Sequence, residues 1–208
     1  MIRLAIVVEG ETEKSFVDRV LAPHLIHFHV AAAPTMPGKQ GGDMRIERLA
    51  PAMARLTWNF DAVTSLVDFY GFRGRSSGET ADGLVQRLHD AVDRQPSRYP
   101  CGPQLFGYVQ LHEFEALLFS DVRAFSVMLE VTPPAIQNLG KAVSGFATPE
   151  DINDHPATAP SKRIAEAIPR YGKLRDGPAI AEAIGLASIR AECPRFNEWV
   201  ARLESLRG

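Results

Sequence analysis

Short apolar runs alternate with helix-like segments over the first half of the chain. Ile2–Val8 and residues 62–69 are apolar stretches rich in β-branched residues, which is typical of buried strands in a parallel sheet. Residues 105–111 predict a third strand, and residues 27–34 a less marked one. Apolar residues at helical spacing predict helices between them, carrying Phe16, Val17, Val20, Leu21 and Leu25, then Ile46, Leu49, Met53 and Leu56, then Leu84, Val85, Leu88 and Val92. This alternation predicts an α/β fold with a mostly parallel sheet flanked by helices.

Beyond about residue 120 the pattern contains helix signals only. Helix starts that include proline are predicted at Thr132-Pro133, Thr148-Pro149, Pro160-Ser161 and Gly177-Pro178. A last amphipathic helix carries Phe196, Trp199, Val200, Leu203 and Leu206. We therefore expect an α/β domain over residues 1–120 and a helical extension over residues 121–208 that packs on it.

Two details of packing follow from the same pattern. Asp82 directly precedes the apolar stripe of the third predicted helix and is expected to cap it. Trp58, Phe196 and Trp199 lie at helical spacing and are expected to be core aromatics rather than platforms for stacked bases.

Composition limits the classes of protein to which the chain can belong. The chain has 208 residues, 45% hydrophobic and 23% charged, with a formal net charge of −2, so a nucleic-acid partner would need a local basic patch. Cys101 and Cys193 are far apart and predict neither a disulfide framework nor a zinc site. No apolar run approaches the roughly 18 residues of a membrane helix, and the chain enters a strand at once, without a signal peptide. These features predict a cytoplasmic protein.

Carboxylates lie at or just after the ends of three predicted strands. Glu9 comes after the first strand, Asp68 ends the next, and Glu113 and Glu115 follow the third. Ligands of open α/β sheets bind beyond the carboxyl ends of the strands, so these side chains are expected to converge. Mg²⁺ or Mn²⁺ would relieve their repulsion, because both ions prefer oxygen ligands. The pattern therefore predicts a metal site formed by Glu9, Asp68 and Glu113.

The assignment of the third ligand depends on local structure. Within a helix, Glu113 and Glu115 would point in different directions, whereas an extended strand end would let both face the site. We favour Glu113, which is nearer the strand end, with Glu115 as the alternative. Glu11 and Glu13 are expected to stabilise the start of the first helix. His112 is either a base or ligand, or a hydrogen-bonded structural histidine.

Basic residues suited to phosphate binding lie in predicted loops and at a helix start. The candidates are Lys39, Arg45, Arg73, Arg75, Lys162 and Arg163. Basic residues beside the predicted metal site would neutralise the charge of a phosphodiester. Each of them is about equally well explained as a solvated surface charge. No GxxxxGK[ST] motif occurs, so a P-loop nucleotide site is not predicted.

Several motifs resemble known families. VEGETE, at residues 8–13, resembles the glutamate motif of Toprim domains, which occur in topoisomerases, primases and nucleases of the OLD and RloB-like groups. A closer resemblance is to the DUF4276 family, regarded as Toprim-like. It is carried by VEGETEKSFV (8–17), VDFYGF (67–72), HEFEALLF (112–119), APSKRI (159–164) and CPRFNEW (193–199).

The resemblance implies roles for individual positions. Glu9 matches the Toprim catalytic glutamate, and Asp68 matches the first aspartate of the Toprim Asp-x-Asp pair. Tyr70 stands where the second aspartate is expected, so one ligand of the family pattern is missing unless Glu113 or Glu115 replaces it.

Together, the residues and the resemblance predict a Toprim-like, Mg²⁺- or Mn²⁺-dependent nuclease acting on DNA or RNA. In this interpretation Glu9, Asp68, Glu113 and Glu115 are the catalytic carboxylates. By the same resemblance, a role in phage defence with an ABC-type ATPase encoded nearby is expected, and an oligomer is possible. The alternatives are a non-catalytic nucleotide- or nucleic-acid-binding module with a degenerate Toprim site, and phosphoryl transfer involving a small molecule.

Overall fold

The sheet of the protein is parallel throughout the part of the chain that can be described. The computed structural model describes residues 1–38, 43–99, 104–152 and 158–206. Its strands are β1 (Ile2–Val8), β2 (Val30–Thr35), β3 (Ala62–Asp68), β4 (Gln104–Phe106) and β5 (Val109–Gln110). They lie in the order β2-β1-β3-β4, and β5 pairs with the end of β3. This arrangement confirms the predicted α/β class.

Helices cover both faces of the sheet and the whole C-terminal part of the described chain. They are α1 (Glu11–Phe16), α2 (Ala22–Ile26), α3 (Ile46–Leu56), α4 (Ala81–Asp93), α5 (Ala124–Met128), α6 (Pro133–Val143), α7 (Pro160–Ala167), α8 (Lys173–Ile184), α9 (Leu186–Glu192) and α10 (Pro194–Glu204). A π-helical segment, Val17–Leu21, joins α1 to α2, and 3-10 helices span Phe114–Asp121 and Pro149–Asp151. None of these helices is long and apolar enough to cross a membrane.

The wide π turn accommodates a proline inside the first long helical segment. Pro23 has no N–H for an intrahelical bond, and in a regular α-helix its ring would collide with the carbonyl of Arg19. In the structure the Ala22 N–H instead donates to the carbonyl of Val17, five residues back. The helix thus continues past the proline, and the predicted stripe from Phe16 to Leu25 remains buried.

Alternate residues of β1 enter two separate hydrophobic cores. Leu4 and Ile6 face the core that contains the α1–α2 segment and the C-terminal helices. Ala5 and Val7 face the second core, which is completed by α3 and α4. Every residue of β1 from Leu4 onward is buried, which explains why its sequence is continuously apolar rather than alternating.

The C-terminal helices share the first of these cores with the sheet. The ring of Trp199, in α10, stacks on Tyr108 with centroids 4.7 Å apart. Its Nε1 donates to Thr64 Oγ1 in β3 at 3.0 Å. Phe196 and Trp199 are therefore core aromatics, as predicted. The division of the chain at residue 120 remains a prediction, because the core itself does not separate the two parts.

Three local predictions were wrong. Trp58 is 59% exposed because α3 ends at Leu56; its ring packs on Tyr99 instead, with centroids 4.8 Å apart. Thr80, not Asp82, caps α4, since the Thr80 side chain accepts from the Gly83 N–H.

Pro178 does not begin a helix but lies inside α8, which starts five residues earlier at Lys173. The carbonyl of Leu174, which loses its helical donor to the proline, belongs to a residue that is 66% exposed, so water can satisfy it.

The third predicted strand is interrupted rather than continuous. Between β4 and β5, the Ser65 hydroxyl accepts from the Tyr108 N–H at 3.0 Å and donates to the Tyr108 carbonyl at 2.9 Å. A side chain of β3 thus takes the place of the backbone ladder at this position. Pairing resumes at Val109, so β5 still reaches the end of β3.

Candidate active site

Strand register brings Glu9 and Asp68 together. Val8 is paired with Leu66 in the neighbouring parallel strand, so Glu9 leaves β1 next to the last residues of β3. The Asp68 N–H donates to Glu9 Oε2 at 3.3 Å. On the other side, Asp68 is paired with Gln110, and the Phe114 N–H donates to Asp68 Oδ1 at 2.8 Å. At the carboxyl edge of the sheet, Asp68 therefore contacts the segment after β1 through Glu9 and the segment after β5 through Phe114.

Two more buried carboxylates complete the group. Glu13 lies in the first turn of α1, is 3% exposed, and accepts from the Gly10 N–H at 3.0 Å. Glu115 lies in the first turn of the 3-10 helix and is fully buried. We call Glu9, Glu13, Asp68 and Glu115 the carboxylate cluster.

Lys173 provides the ammonium group of the site. Its Nζ lies 3.0 Å from Glu115 Oε2 and 3.6 Å from Asp68 Oδ2. Lys173 is the first residue of α8, and Asp176 fixes the start of that helix by accepting from the Gly172 N–H at 2.7 Å.

Close packing holds α8 against the site. A Cβ atom at Gly177 would lie 3.1 Å from the Tyr171 hydroxyl, 3.5 Å from Thr12 and 3.6 Å from Phe114. A side chain at this position would need the Tyr171 hydroxyl to shift by a few tenths of an ångström and would leave little room beyond its Cβ between α8, α1 and the 3-10 helix.

Burial dominates the electrostatics of the cluster. It raises the pKa of Glu9, Glu13 and Glu115 and raises the pKa of Asp68 well above its usual range; Lys173 acts in the opposite direction but does not cancel the effect. Burial alone would lower the pKa of Lys173, but Asp68, Glu115 and Glu13 outweigh it and raise that pKa. A single ammonium therefore faces more negative charge than it can neutralise.

Glu113 has a different role from Glu115 in this structure. Its backbone is extended at the start of the 3-10 helix, and its Oε2 accepts from the Ser161 N–H at 2.9 Å. Ser161 is the second residue of α7, so Glu113 satisfies a free donor at that helix start. Glu113 is still near enough to Glu9 to raise its pKa. Of the two predicted alternatives, Glu115 is the one in contact with Lys173.

A cavity opens beside the carboxylate cluster. Its volume is about 310 Å³, and it is lined by Glu9, Gly10, Glu11, Thr12, Glu13, Lys173 and Leu174. Nearby, Thr12 Oγ1, Glu115 Oε1 and the Tyr171 hydroxyl are buried without a hydrogen-bond partner. A larger cavity of about 540 Å³ lies elsewhere, between α6 and α7, and contains none of the cluster residues.

The basic residues predicted to bind phosphate divide into two groups. Arg45 and Arg73 both form ion pairs with Asp43, and the Arg75 guanidinium lies 4.1 Å from the centroid of the Phe69 ring. Their segments adjoin the end of β3, because the Arg73 N–H donates to the Met44 carbonyl at 2.8 Å. These arginines therefore lie in the segments before α3 and after β3, with their charges partly engaged by Asp43 and Phe69.

The second group lies at the start of α7. Lys162 is exposed, and Arg163 donates to the Thr158 carbonyl at 2.7 Å and lines the larger cavity. Lys39 falls outside the described residues.

Tyr70 lies two residues after Asp68, and His112 directly precedes Glu113. Tyr70 is half-buried in the turn after β3, and its N–H donates to the His112 carbonyl at 2.9 Å. His112 has a positive φ of 62°. This backbone contact joins the segment after β3 to the one that carries Glu113 and Glu115.

Sequence reasoning did not identify Lys173 and assigned Glu13 only a role at the helix end. Glu13 does contact the Gly10 N–H as such a role requires, but its burial beside Lys173 places it in the cluster as well. Arg48, near enough to lower the pKa of Glu9, was also missed. No local pattern marks Lys173 or Arg48, since each reaches the site through packing between distant segments.

Comparisons with known proteins add a family and a set of solved structures. Residues 8–204 match the family model described as "Domain of unknown function (DUF4276)". Two solved structures of the C-terminal region of the Xanthomonas campestris pv. campestris OLD protein, phased with mercury and with iodine, are similar. Each is 17% identical and covers 96% of both chains, with TM-scores of 0.44 and 0.42. Curated proteins gave no significant match.

Proposed function

The chain belongs to the DUF4276 family, and from the chemistry of its carboxylate cluster we propose that it is a metal-dependent enzyme that cleaves phosphodiester bonds in DNA or RNA. One observation carries the proposal: Glu9, Glu13, Asp68 and Glu115 are buried around a single lysine. Burying several carboxylates together destabilises a fold, and groups held at such a cost are concentrated at functional sites.

The donor set fits a hard divalent cation. Every donor of the cluster is a carboxylate oxygen, the ligand type that Mg²⁺ and Mn²⁺ prefer. Backbone N–H groups hold one oxygen each of Glu9, Glu13 and Asp68, and the second oxygen of Asp68 faces Lys173 at 3.6 Å. Glu115 Oε1 is buried and has no partner. As the side chains stand, no three of them within the described ranges are spaced to hold an ion, so metal binding would require them to move.

We propose one change to the predicted set of metal ligands. Glu9 and Asp68 are retained as metal ligands, with Glu115 joining them because it lies in the cluster. Glu113 is kept as an outer carboxylate, since its Oε2 is already engaged by Ser161. When bound, the cation would polarise the phosphate and lower the pKa of an attacking water.

The protein's own residues would position the substrate and transfer the proton. Lys173, at the wall of the cavity, is placed to neutralise a phosphate oxygen. Arg73 and Arg75, in the segment that follows β3, would hold the adjoining backbone phosphates. Glu113, the outer carboxylate, would take the proton of the attacking water. By the sequence resemblance, the proposal extends to phage defence together with an ATPase partner.

The test is a nuclease screen on single- and double-stranded DNA and RNA with Mg²⁺ or Mn²⁺. Wild-type protein should cleave at least one substrate, and Glu9→Gln should not. Glu11→Gln is the matched control, because Glu11 lines the same cavity but is exposed and outside the cluster. Equal cleavage by wild type and Glu9→Gln would show that a contaminant or another site is responsible.

A second candidate function is a non-catalytic nucleic-acid-binding module. Tyr70, at the position of a second Toprim aspartate, favours it. Binding of an oligonucleotide without cleavage in either metal, and unaffected by Glu9→Gln, would support this candidate and exclude the first.

A further inference from the structure

The ammonium of Lys173 occupies the position that a cation would take between two buried carboxylates. It lies 3.0 Å from Glu115 and 3.6 Å from Asp68, whose side chains are 0% and 8% exposed. We propose that Lys173 is an internal cation that competes with the divalent ion, which must displace its ammonium from Asp68 and Glu115 in order to bind. The inference rests on the proposed function and adds a control of metal binding at the same site.

Unpartnered polar atoms indicate that the lysine does not complete the site. Glu115 is fully buried and lies near the Tyr171 hydroxyl; its Oε2 contacts Lys173, whereas its Oε1 forms no hydrogen bond of acceptable geometry. Thr12 is 1% exposed, lines the cavity, and leaves its Oγ1 without a partner. A buried polar atom without a partner is costly, so both atoms point to a ligand that the lysine does not replace.

The geometry also explains why the carboxylates are not spaced to hold an ion as they stand. Asp68 and Glu115 are both turned toward the ammonium, which carries one charge and needs longer contacts than the roughly 2.0–2.1 Å of Mg²⁺ coordination. Removal of the ammonium would let these two carboxylates approach a common ion.

Lys173 has a route out of the cluster. Its side chain is 40% exposed and forms part of the cavity wall, while its backbone is fixed at the start of α8. The flexible stem allows the ammonium to move into the cavity without moving the helix. There it would meet a substrate phosphate, so displacement by the metal and recognition of the substrate would be coupled.

The experiment measures Mn²⁺ binding by calorimetry at pH 7.5 to the wild type, Lys173→Met, Lys173→Arg and Lys14→Met. Lys14 is the matched control, because its side chain is also 40% exposed but its partner is the exposed Glu11. Lys173→Met should bind Mn²⁺ about tenfold more tightly or better than the wild type, since one opposing charge is removed at contact distance. Lys173→Arg and Lys14→Met should bind like the wild type.

A second measurement uses the wild-type protein and does not depend on the variant folding. Acetylation of lysines with a small reagent, followed by mass spectrometry, should show Lys173 protected in EDTA and labelled several-fold faster in saturating Mg²⁺. Labelling of Lys14 should not change. Unchanged or slower labelling of Lys173 under saturating Mg²⁺ would overturn the inference.

The outcomes separate this inference from the proposed function. If Mn²⁺ binds to the wild type but not to Glu9→Gln, and Lys173→Met binds no more tightly, the competition is refuted while the metal site stands. If neither the wild type nor Lys173→Met binds Mn²⁺, both proposals are refuted. Tighter binding by Lys173→Met without nuclease activity in any substrate screen would leave the competition supported and the proposed reaction refuted.

Discussion

Replacing Asp68 by asparagine should stabilise the metal-free protein while abolishing its activity. Asp68 is 6% exposed, and its Oδ1 accepts from the Phe114 N–H at 2.8 Å, a bond that an asparagine carbonyl can keep. The substitution removes one negative charge from the carboxylate cluster and also the ion pair with Lys173 at 3.6 Å. Because the pKa of Asp68 is raised well above its usual range, the removed charge was, in total, unfavourable.

The size of the gain follows from the linkage between pKa and folding. A tenfold difference in proton affinity between the folded and unfolded states corresponds to about 1.4 kcal/mol, and burial makes the ionised form of Asp68 the unfavourable one. The new amide leaves donors poorly paired near Lys173, which costs about 1–3 kcal/mol. We therefore expect Asp68→Asn to raise the free energy of unfolding at pH 8, by on the order of 1 kcal/mol.

The stabilities of the wild type and of Asp68→Asn should also depend differently on pH. A carboxyl group with a raised folded-state pKa contributes stability below its unfolded pKa and loses it as the pH rises through the folded value. The wild-type protein should therefore be less stable at pH 8 than at pH 5.5, in part because Asp68 ionises. Asp68→Asn should not show this part of the loss. The difference between the two proteins should shrink as the pH falls.

Urea unfolding in EDTA at both pH values measures this difference. Asp61→Asn is the matched control, because Asp61 directly precedes β3 and Asp68 ends it. Arg3 lowers the pKa of Asp61 to about 2, so its contribution is constant between pH 5.5 and pH 8. Its side chain is 38% exposed, so the control should lose at most about 1 kcal/mol. If Asp68→Asn destabilises the protein at pH 8, or its effect is the same at both pH values, the carboxylate is structural and the reasoning fails.

Three further outcomes are expected. Millimolar Mg²⁺ should raise the melting temperature of the wild type and of Glu11→Gln but not of Glu9→Gln, because a bound cation stabilises the fold by mass action; equal shifts in all three would place the metal elsewhere. Replacing Arg73 and Arg75 with alanine should flatten the salt dependence of nucleic-acid binding, by up to about 0.9 in slope per lost phosphate contact, and an unchanged slope would remove both from the substrate path. Tyr70→Asp should lower the Mg²⁺ concentration needed for cleavage; lost activity with an intact fold would instead show that the phenol contacts substrate.

The carboxyl edge of the sheet could be predicted because it depends on strand order along the chain. Once Ile2–Val8 and the stretch ending at Asp68 are assigned as parallel strands, their last residues must lie at one edge, and Glu9 follows. The segment from 105 to 111 was predicted as one strand, and the side chain of Ser65 interrupts it. The strand was nevertheless predicted to end at the correct edge of the sheet, because pairing with β3 resumes at Val109 and the chain leaves the sheet beside Asp68.

The lysine of the site could not be predicted, because it arrives through tertiary packing. Lys173 begins a helix that packs closely at Gly177 and whose start is capped by Asp176. Neither feature has a sequence signature that points to Asp68. The same limit explains the wrong prediction for Trp58, since helical spacing does not reveal that α3 ends at Leu56.

The charge of the cluster bears on the choice between an enzyme and a binding module. A protein that binds nucleic acid without a metal draws most of its affinity from basic side chains against phosphate. Here the cavity is lined by Glu9, Glu11 and Glu13 against Lys173, and the chain as a whole has a net charge of −2. Such a surface repels phosphate unless a divalent cation lies between the carboxylates and the substrate. The burial of Asp68 and Glu115 beside a single lysine therefore favours the proposed metal-dependent enzyme over a metal-free binding module.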